Sequence, residues 1–397
     1  MRFFDRCFIF IFVLMIILPL VFVDLSSNRV SVQENRTLAT FPRLTDLKHH
    51  QGQFIRDFDA WFKDSTGFRE QLLALSNVMG INTWMSGVKY NKGQLPYLIG
   101  EHGHQFFAGL NGELIQVFQG KPVFSDEQLA NIANKLEEVK KYLDRQGIPL
   151  VVVFMTFKES IYPEYYPKSI KRGPEPIQLD VITDYLREHT NIDIFNIRQA
   201  LLEEKDNYLL YLVSSGDIFH YTEIGGFFAY RELMKHINIY FSDIVPYDLN
   251  DIDISYDKKV ESILEPDVTL KRGVTFKKLA PSFFDDVELN RPFTWENVAY
   301  ENKNPDLPVI LVFRDSFSGV FTQTYEKKYL TQFIASQFSK AIFIHLNNLK
   351  HFEEYVDRYK PDIVVFESTE YFDEFAKHVA DIPELVNNMH GDSRQAK

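Results

Sequence analysis

One cysteine in 397 residues permits no internal disulfide, and no Cys-x-x-Cys pair or Cys/His cluster accompanies it. A thiolate zinc site and a redox dithiol are thereby excluded. No His-x-x-x-His pair with a helical glutamate occurs, so hydrolytic zinc has no support either, and no cofactor is implied. Basic charge is also short: 43 Lys and Arg stand against 55 Asp and Glu, a formal net charge of −12. Nucleic acid is not an expected partner, because binding a polyanion needs a basic face that releases counterions. What the chain does have is apolar and aromatic mass, with 36 Phe, 20 Tyr and 45% hydrophobic residues. That content offsets the entropy of ordering a large domain and rules out a disordered chain.

Cys7 sits in the one segment that does not read as globular. After Arg2 and Arg6, residues 7–23 form an unbroken apolar run of 17, about 25 Å long as a helix and just enough to span a bilayer. The exit Val21-Phe22-Val23-Asp24-Leu25 lacks the small-residue pattern of a signal-peptidase site, which favours an uncleaved anchor over a cleaved leader. Arg2 and Arg6 precede the run and Asp24 follows it. The positive-inside rule then places residues 1–6 in the cytoplasm and the rest outside, on the periplasmic or extracellular side of the membrane.

Residues 24–50 read as a polar linker. Phe54, Phe58, Trp61 and Phe62 recur at helical spacing, a stripe that suits packing, before a break at Asp64-Ser65-Thr66-Gly67 and a second amphipathic stretch through Leu72, Leu73 and Val78. Short strands are expected around 97–100 and 105–107. Ser125-Asp126 can cap a helix whose apolar positions are Leu129, Ile132, Leu136, Val139 and Leu143, with Gly147 as its stop. The run 148–154 is a strand buried on both faces, and 192–195, 309–313, 341–344 and 362–366 are further strands, most of them separated by helical stretches. The pattern predicts an α/β domain over 51–385 with a mostly parallel sheet, interrupted by an insertion or rim at 246–308 and followed by a tail at 386–397. In such sheets ligands bind at the carboxyl ends of the strands.

Strand 309–313 runs into Arg314-Asp315-Ser316. A serine there presents its hydroxyl at the carboxyl edge, with free backbone N–H groups beside it, as an acyl-transfer nucleophile requires; the same residues also suit an ordinary helix cap. Asp217-Ile218-Phe219-His220, before a helix marked by Phe227, Phe228, Tyr230, Leu233 and Met234, offers a base and an acid to orient it. Lys158, just past strand 148–154, lies on the edge where substrate would be met.

These motifs resemble the SGNH (GDSL-like) esterase superfamily. Their order, with Asp217-x-x-His220 about a hundred residues before Asp315-Ser316, is similar to the alginate O-acetyltransferase family of AlgJ and AlgX type. So are the phrases Glu34-Asn35-Arg36…Phe41-Pro42, Trp61-Phe62…Gly67-Phe68-Arg69, Ile99-Gly100-x-x-Gly103…Phe106 and Phe157-Lys158…Ile161-Tyr162-Pro163. The resemblance implies a three-layer α/β sandwich and transfer of acetyl groups to an exopolysaccharide through Ser316, His220 and Asp217. Its implied partners are the polysaccharide and a polytopic membrane acyltransferase as acetyl donor. A carbohydrate esterase of the same fold and a non-catalytic polysaccharide-binding subunit are the alternatives. Two departures stand out. The family's Asp-x-His-Trp is replaced by Asp217-x-x-His220-Tyr221, and Arg314 takes the place of the glycine in Gly-Asp-Ser, where it could crowd the nucleophile or bind an anionic sugar.

Overall fold

Apolar runs with no polar residue at alternate positions must be covered on both faces, and the computed structural model of the chain shows them so. It describes residues 21–24, 30–31, 36–43, 45, 51–67, 88–90, 96–109, 112–214, 218–260, 263–273, 275–279, 297–318, 329–370 and 372–385. Two units emerge, Met1–Lys89 and Tyr90–Lys397. In the first, Trp61 of helix Gln51–Ser65 meets Phe41 edge-on at 4.7 Å, and Asp64 accepts a hydrogen bond from the Ala39 amide at 2.8 Å. Val30–Ser31 and Arg36–Thr37 pair antiparallel, so the expected linker carries local structure of its own. Residues 7–20 of the expected anchor, the stretch through Leu72, Leu73 and Val78, and the tail 386–397 lie outside the described residues. Among the described residues no helix is long and apolar enough to cross a membrane.

The second unit is built on a seven-stranded sheet: β1 (Leu150–Met155), β2 (Asp193–Asn196), β3 (Phe276–Lys278), β4 (Val298–Asn302), β5 (Val309–Arg314), β6 (Lys340–His345) and β7 (Ile363–Thr369). Their spatial order is β3-β4-β6-β5-β7-β1-β2. The strands from β6 to β2 run parallel, as expected, whereas β4 adds antiparallel to the β6 edge and β3 antiparallel to β4. The sheet is therefore mixed. Both antiparallel strands come from 246–308, so that segment is more than a rim. Phe276-Lys277-Lys278 has one apolar residue and Val298–Asn302 has only three fully buried ones, too little periodicity to be seen as strands. The same segment also forms a separate hairpin, Ile252–Val260 with Ile263–Leu270.

Helices α1 (Asp126–Asp144), α2 (Gln178–His189), α3 (Glu223–Asn238), α4 (Phe352–Tyr359) and α5 (Phe372–Ala380) cover the sheet. Side-chain alternation assigns the two faces. Val151, Val153, Ile310, Val312 and Val365 pack with Phe227, Leu233 and Met234 of α3. Leu150, Val152, Phe154, Leu311, Phe313 and Val364 pack with residues of α1, α2, α4 and α5 on the other side. Each such side chain contributes about 1.5–3 kcal/mol through burial, and the three-layer sandwich follows from burying both sets. The α1 boundaries obey their local signals. Ser125 accepts from the Gln128 amide and Gln128 accepts back from the Ser125 amide, a reciprocal cap typically worth about 1 kcal/mol. Gly147, at φ +72°, turns the chain out of the helix toward β1.

Candidate functional site

Because β1, β5, β6 and β7 are parallel, the residues just past their ends share one edge of the sheet. Ser316 opens the short turn Ser316–Ser318 two residues beyond β5. His220 arrives from the segment before α3. That segment is pinned to the chain preceding it: Tyr221 bridges Tyr211, the Thr222 amide donates to the Leu210 carbonyl at 2.9 Å, and the Thr222 hydroxyl donates to the Leu209 carbonyl at 2.6 Å. Gly225 lets this happen, since a Cβ there would stand 2.6 Å from the Leu210 oxygen.

The structure brings His220 and Ser316 together. Nε2 of the ring lies 2.9 Å from the serine Oγ, the distance over which a hydroxyl donates to a neutral imidazole. His220 is almost fully buried, whereas Ser316 is half-buried and so reachable. Phe219, at 4.1 Å, and Phe317, at 4.8 Å between ring centroids, flank the imidazole. Phe317 in turn meets Phe157 at 5.6 Å, so the histidine sits among aromatic rings. Asp217, the expected orienting acid, lies outside the described residues.

Chemically, a half-buried hydroxyl bonded to a buried imidazole at a sheet edge is suited to attack on an acyl carbon. Residues 116–244 match the SGNH hydrolase-like domain of the acetyltransferase AlgX. The resemblance read from the motifs therefore holds across this AlgX-like segment, which takes in Lys158 and His220 and ends before Ser316. No curated protein matches the chain. Among solved structures, PatB1 of Bacillus cereus with a sulfonyl adduct shares 13% identity at a TM-score of 0.46, covering 62% of this chain and 89% of its own. The O-acetyltransferase domain of Pseudomonas putida AlgJ shares 16% at 0.41, covering 70% and 92%, and Pseudomonas aeruginosa AlgX 13% at 0.40, covering 72% and 66%. At TM-scores below 0.5 these likenesses have no bearing on the chemistry.

Within the AlgX-like segment, Lys158 turns out not to face substrate. It is fully buried, and its ammonium donates to the carbonyls of Gln105, Leu212 and Val213 at 2.9, 2.6 and 3.0 Å. Burial pushes its pKa down to about 7, while three carbonyl acceptors match the three N–H bonds of the charged form. Lys158 is thus a tie between the start of helix Lys158–Ile161 and the chain that leads to His220. Arg314, the other expected substrate contact, is also fully buried and donates to the Asp315 carbonyl at 3.1 Å. So buried a side chain has no exposed face to offer a sugar acid.

Sequence reasoning missed the acids at the end of β7. Glu370 is buried; it accepts from the Thr156 hydroxyl at 2.8 Å, the Phe157 amide, and the Ser160 hydroxyl at 2.9 Å. Burial raises it to about 7 against the pull of those donors. Glu367 is buried beside Ser318 of the nucleophile turn. The available signal was Glu367-Ser368-Thr369-Glu370, two acids directly continuing an apolar run at the edge where the site forms. Among the described residues no three carboxylate, histidine or cysteine side chains converge as a metal site.

Proposed function

We propose that the protein transfers acyl groups, acetyl above all, to hydroxyls of an exopolysaccharide through an acyl-enzyme on Ser316. The observation that supports this most directly is the 2.9 Å separation of His220 Nε2 and Ser316 Oγ. The Ser316 oxygen attacks the acyl carbon of the donor as its proton passes to His220, and the donor's leaving group takes that proton as its bond to the acyl carbon breaks. A sugar hydroxyl then gives its proton to His220 and bonds to the acyl carbon, and the Ser316 oxygen takes that proton from His220 as its own bond to the acyl carbon breaks. Asp217 is the residue we assign to orient the ring, on its spacing from His220. Phe219, Phe317 and Phe157 support transfer over hydrolysis by thinning the water around the pair.

In this reading the 7–23 run anchors the chain in the cytoplasmic membrane, the catalytic unit faces outward, and a polytopic membrane acyltransferase supplies the acetyl group. A chromogenic acetyl ester with and without acceptor oligosaccharides tests the reaction. Acyl transfer that rises with acceptor and vanishes in Ser316→Ala, together with labelling of Ser316 by a fluorophosphonate, is the expected result. Equal turnover in Ser316→Ala overturns the assignment, and release of acetate that ignores the acceptor replaces the transferase with an esterase.

A further inference from the structure

Large apolar side chains left in water forgo the stabilisation of burial, so a contiguous group of them marks a surface that meets something. Among the described residues twelve large hydrophobic side chains stand exposed, and six of them, Val21, Phe22, Phe41, Ile55, Phe58 and Phe62, belong to the first unit at 38–68% exposure. Most of the described residues lie in the second unit, so this is a concentration and not an even scatter. Helical spacing gathers the members from helix Gln51–Ser65 on one arc. Phe58 stacks on Phe54 at 6.2 Å and on Phe62 at 6.3 Å, and Ile55 lies one turn before Phe58. Phe41 widens the arc, edge-on to Phe58 at 6.1 Å. The exposed pair Asp59–Lys63, at 2.6 Å, lies off that arc, as the polar flank of an amphipathic helix does.

The carboxyl end of this helix is tied to the end of the apolar run 7–23. The Asp24 amide donates to the Ser65 carbonyl at 2.9 Å, and Gly67 packs so closely on Phe22 that a Cβ there would overlap the Phe22 carbonyl. A run that spans a bilayer and ends at Val23 therefore sets that end of the helix at the membrane surface. We propose that helix Gln51–Ser65 lies along the membrane–water interface, with Ile55, Phe58, Phe62 and Phe41 buried among lipid headgroups and upper acyl chains beside the point where the run leaves the bilayer. This rests on the reading of residues 7–23 as a membrane span. The occupant is the lipid surface, because the end of the span is already the neighbour of this face. The helix is about 22 Å long, and an apolar arc that extends from Phe54 to Phe62 is covered by lipid only when the axis lies flat, as in interfacial helices. Its charges are Arg56 and Lys63 against Asp57, Asp59 and Asp64. With no cationic excess, apolar burial drives the contact, which needs no anionic lipid and resists salt.

Fluorescence quenching on the full chain in phosphatidylcholine vesicles tests it, with a bimane label on one cysteine at a time and lipid brominated high on the acyl chain as quencher. The native Cys7, the only cysteine, reports the span. Phe58→Cys, Phe62→Cys and Lys63→Cys, each combined with Cys7→Ser, report the helix. Labels at 58 and 62 are expected to lose about half or more of their emission in brominated lipid, at low and at high salt alike, while the label at 63 stays nearly unchanged. Equal quenching at 58 and 63 overturns the proposal. So does a quenched Cys7 with unquenched 58 and 62, which leaves the span in place and removes the helix from the interface. Labels at 58 and 62 that ignore bromine and instead quench one another as protein density rises give the face to a second copy of the chain, and this too overturns it. Quenched 58 and 62 with an unquenched Cys7 upholds the interfacial helix and refutes the span. Should Phe58→Cys or Phe62→Cys fail to fold, Ile55→Cys, at the most exposed position of the arc, gives the same readout with the same expected loss.

Discussion

A lysine with all three N–H bonds directed at backbone carbonyls does work that no smaller or neutral side chain can repeat. Lys158 reaches Gln105, Leu212 and Val213, groups from two separate stretches of chain, and its ammonium also lies 4.9 Å from the centre of the Phe106 ring. Lys158→Met keeps the apolar stem and takes the donor from the Gln105 and Leu212 carbonyls, while the Val213 carbonyl still accepts from the Gln105 amide at 2.7 Å. The expected loss is about 3 kcal/mol of unfolding free energy, since each stranded buried acceptor costs roughly 1–3 kcal/mol and part of that is recovered by relaxation. Urea unfolding followed by tryptophan fluorescence measures it. Because Leu212 and Val213 precede His220 by only a few residues, labelling of Ser316 should slow as well. A variant with wild-type stability and a raised KM for substrate would restore Lys158 to the role of a substrate contact.

At the scale of elements, the approach of helix α3 to the chain before it decides where His220 points. Thr222 caps α3, accepting from the Gly225 amide, and Gly225 packs against the Leu210 carbonyl and the Tyr221 Cβ. A methyl group at residue 225 would meet both at 2.6 Å, closer than backbone atoms tolerate, so the helix start must shift. Gly225→Ala is therefore expected to destabilise by about 1–3 kcal/mol, the usual range for overpacking, and to lower the labelling rate more than the stability loss explains. Thermal unfolding and labelling on the same preparations separate the two, and a variant with normal labelling would show that the helix start tolerates the shift. This element was legible in outline. Phe227, Phe228, Tyr230, Leu233 and Met234 announce an apolar helix, and the apolar runs of β1, β5, β6 and β7 announce parallel strands, because both are decided by local burial patterns. The pairing of Ser316 with His220 was also accessible, since each lies beside a strong local signal. Strands β3 and β4 were not, because they are held by pairing to an edge and carry little apolar pattern of their own. The roles of Lys158, Arg314, Glu367 and Glu370 depend on which strands neighbour one another, and that is set by the order β6-β5-β7-β1, a long-range fact.

For the molecule as a whole, the acids enclosed near the ends of β1 and β7 tie stability to pH. Glu370 has a folded pKa of about 7 against an ordinary value of 4.5, caused first by burial, and nearby Glu159 is raised too, by burial and then by the Glu370 charge. Between pH 4.5 and about 7 the unfolded chain has lost the Glu370 proton while the folded chain keeps it. The folded state binds more protons there, so stability is fully present below 4.5 and falls as pH rises, by about 1.4 kcal/mol per unit and roughly 3 kcal/mol in all. Other groups contribute their own slopes, and the clean observable is the difference between two proteins. Glu370→Gln can still accept from Thr156 and Phe157 and donate to Ser160 but has no proton to lose. Its urea midpoint, measured from pH 5 to 7, is expected to decline less steeply than that of the wild type by about one proton's worth, with Glu159 supplying a residual decline. Parallel curves would place the titrating proton elsewhere and leave Glu370 as an ionised acceptor, held by the two hydroxyls and the amide that already face it.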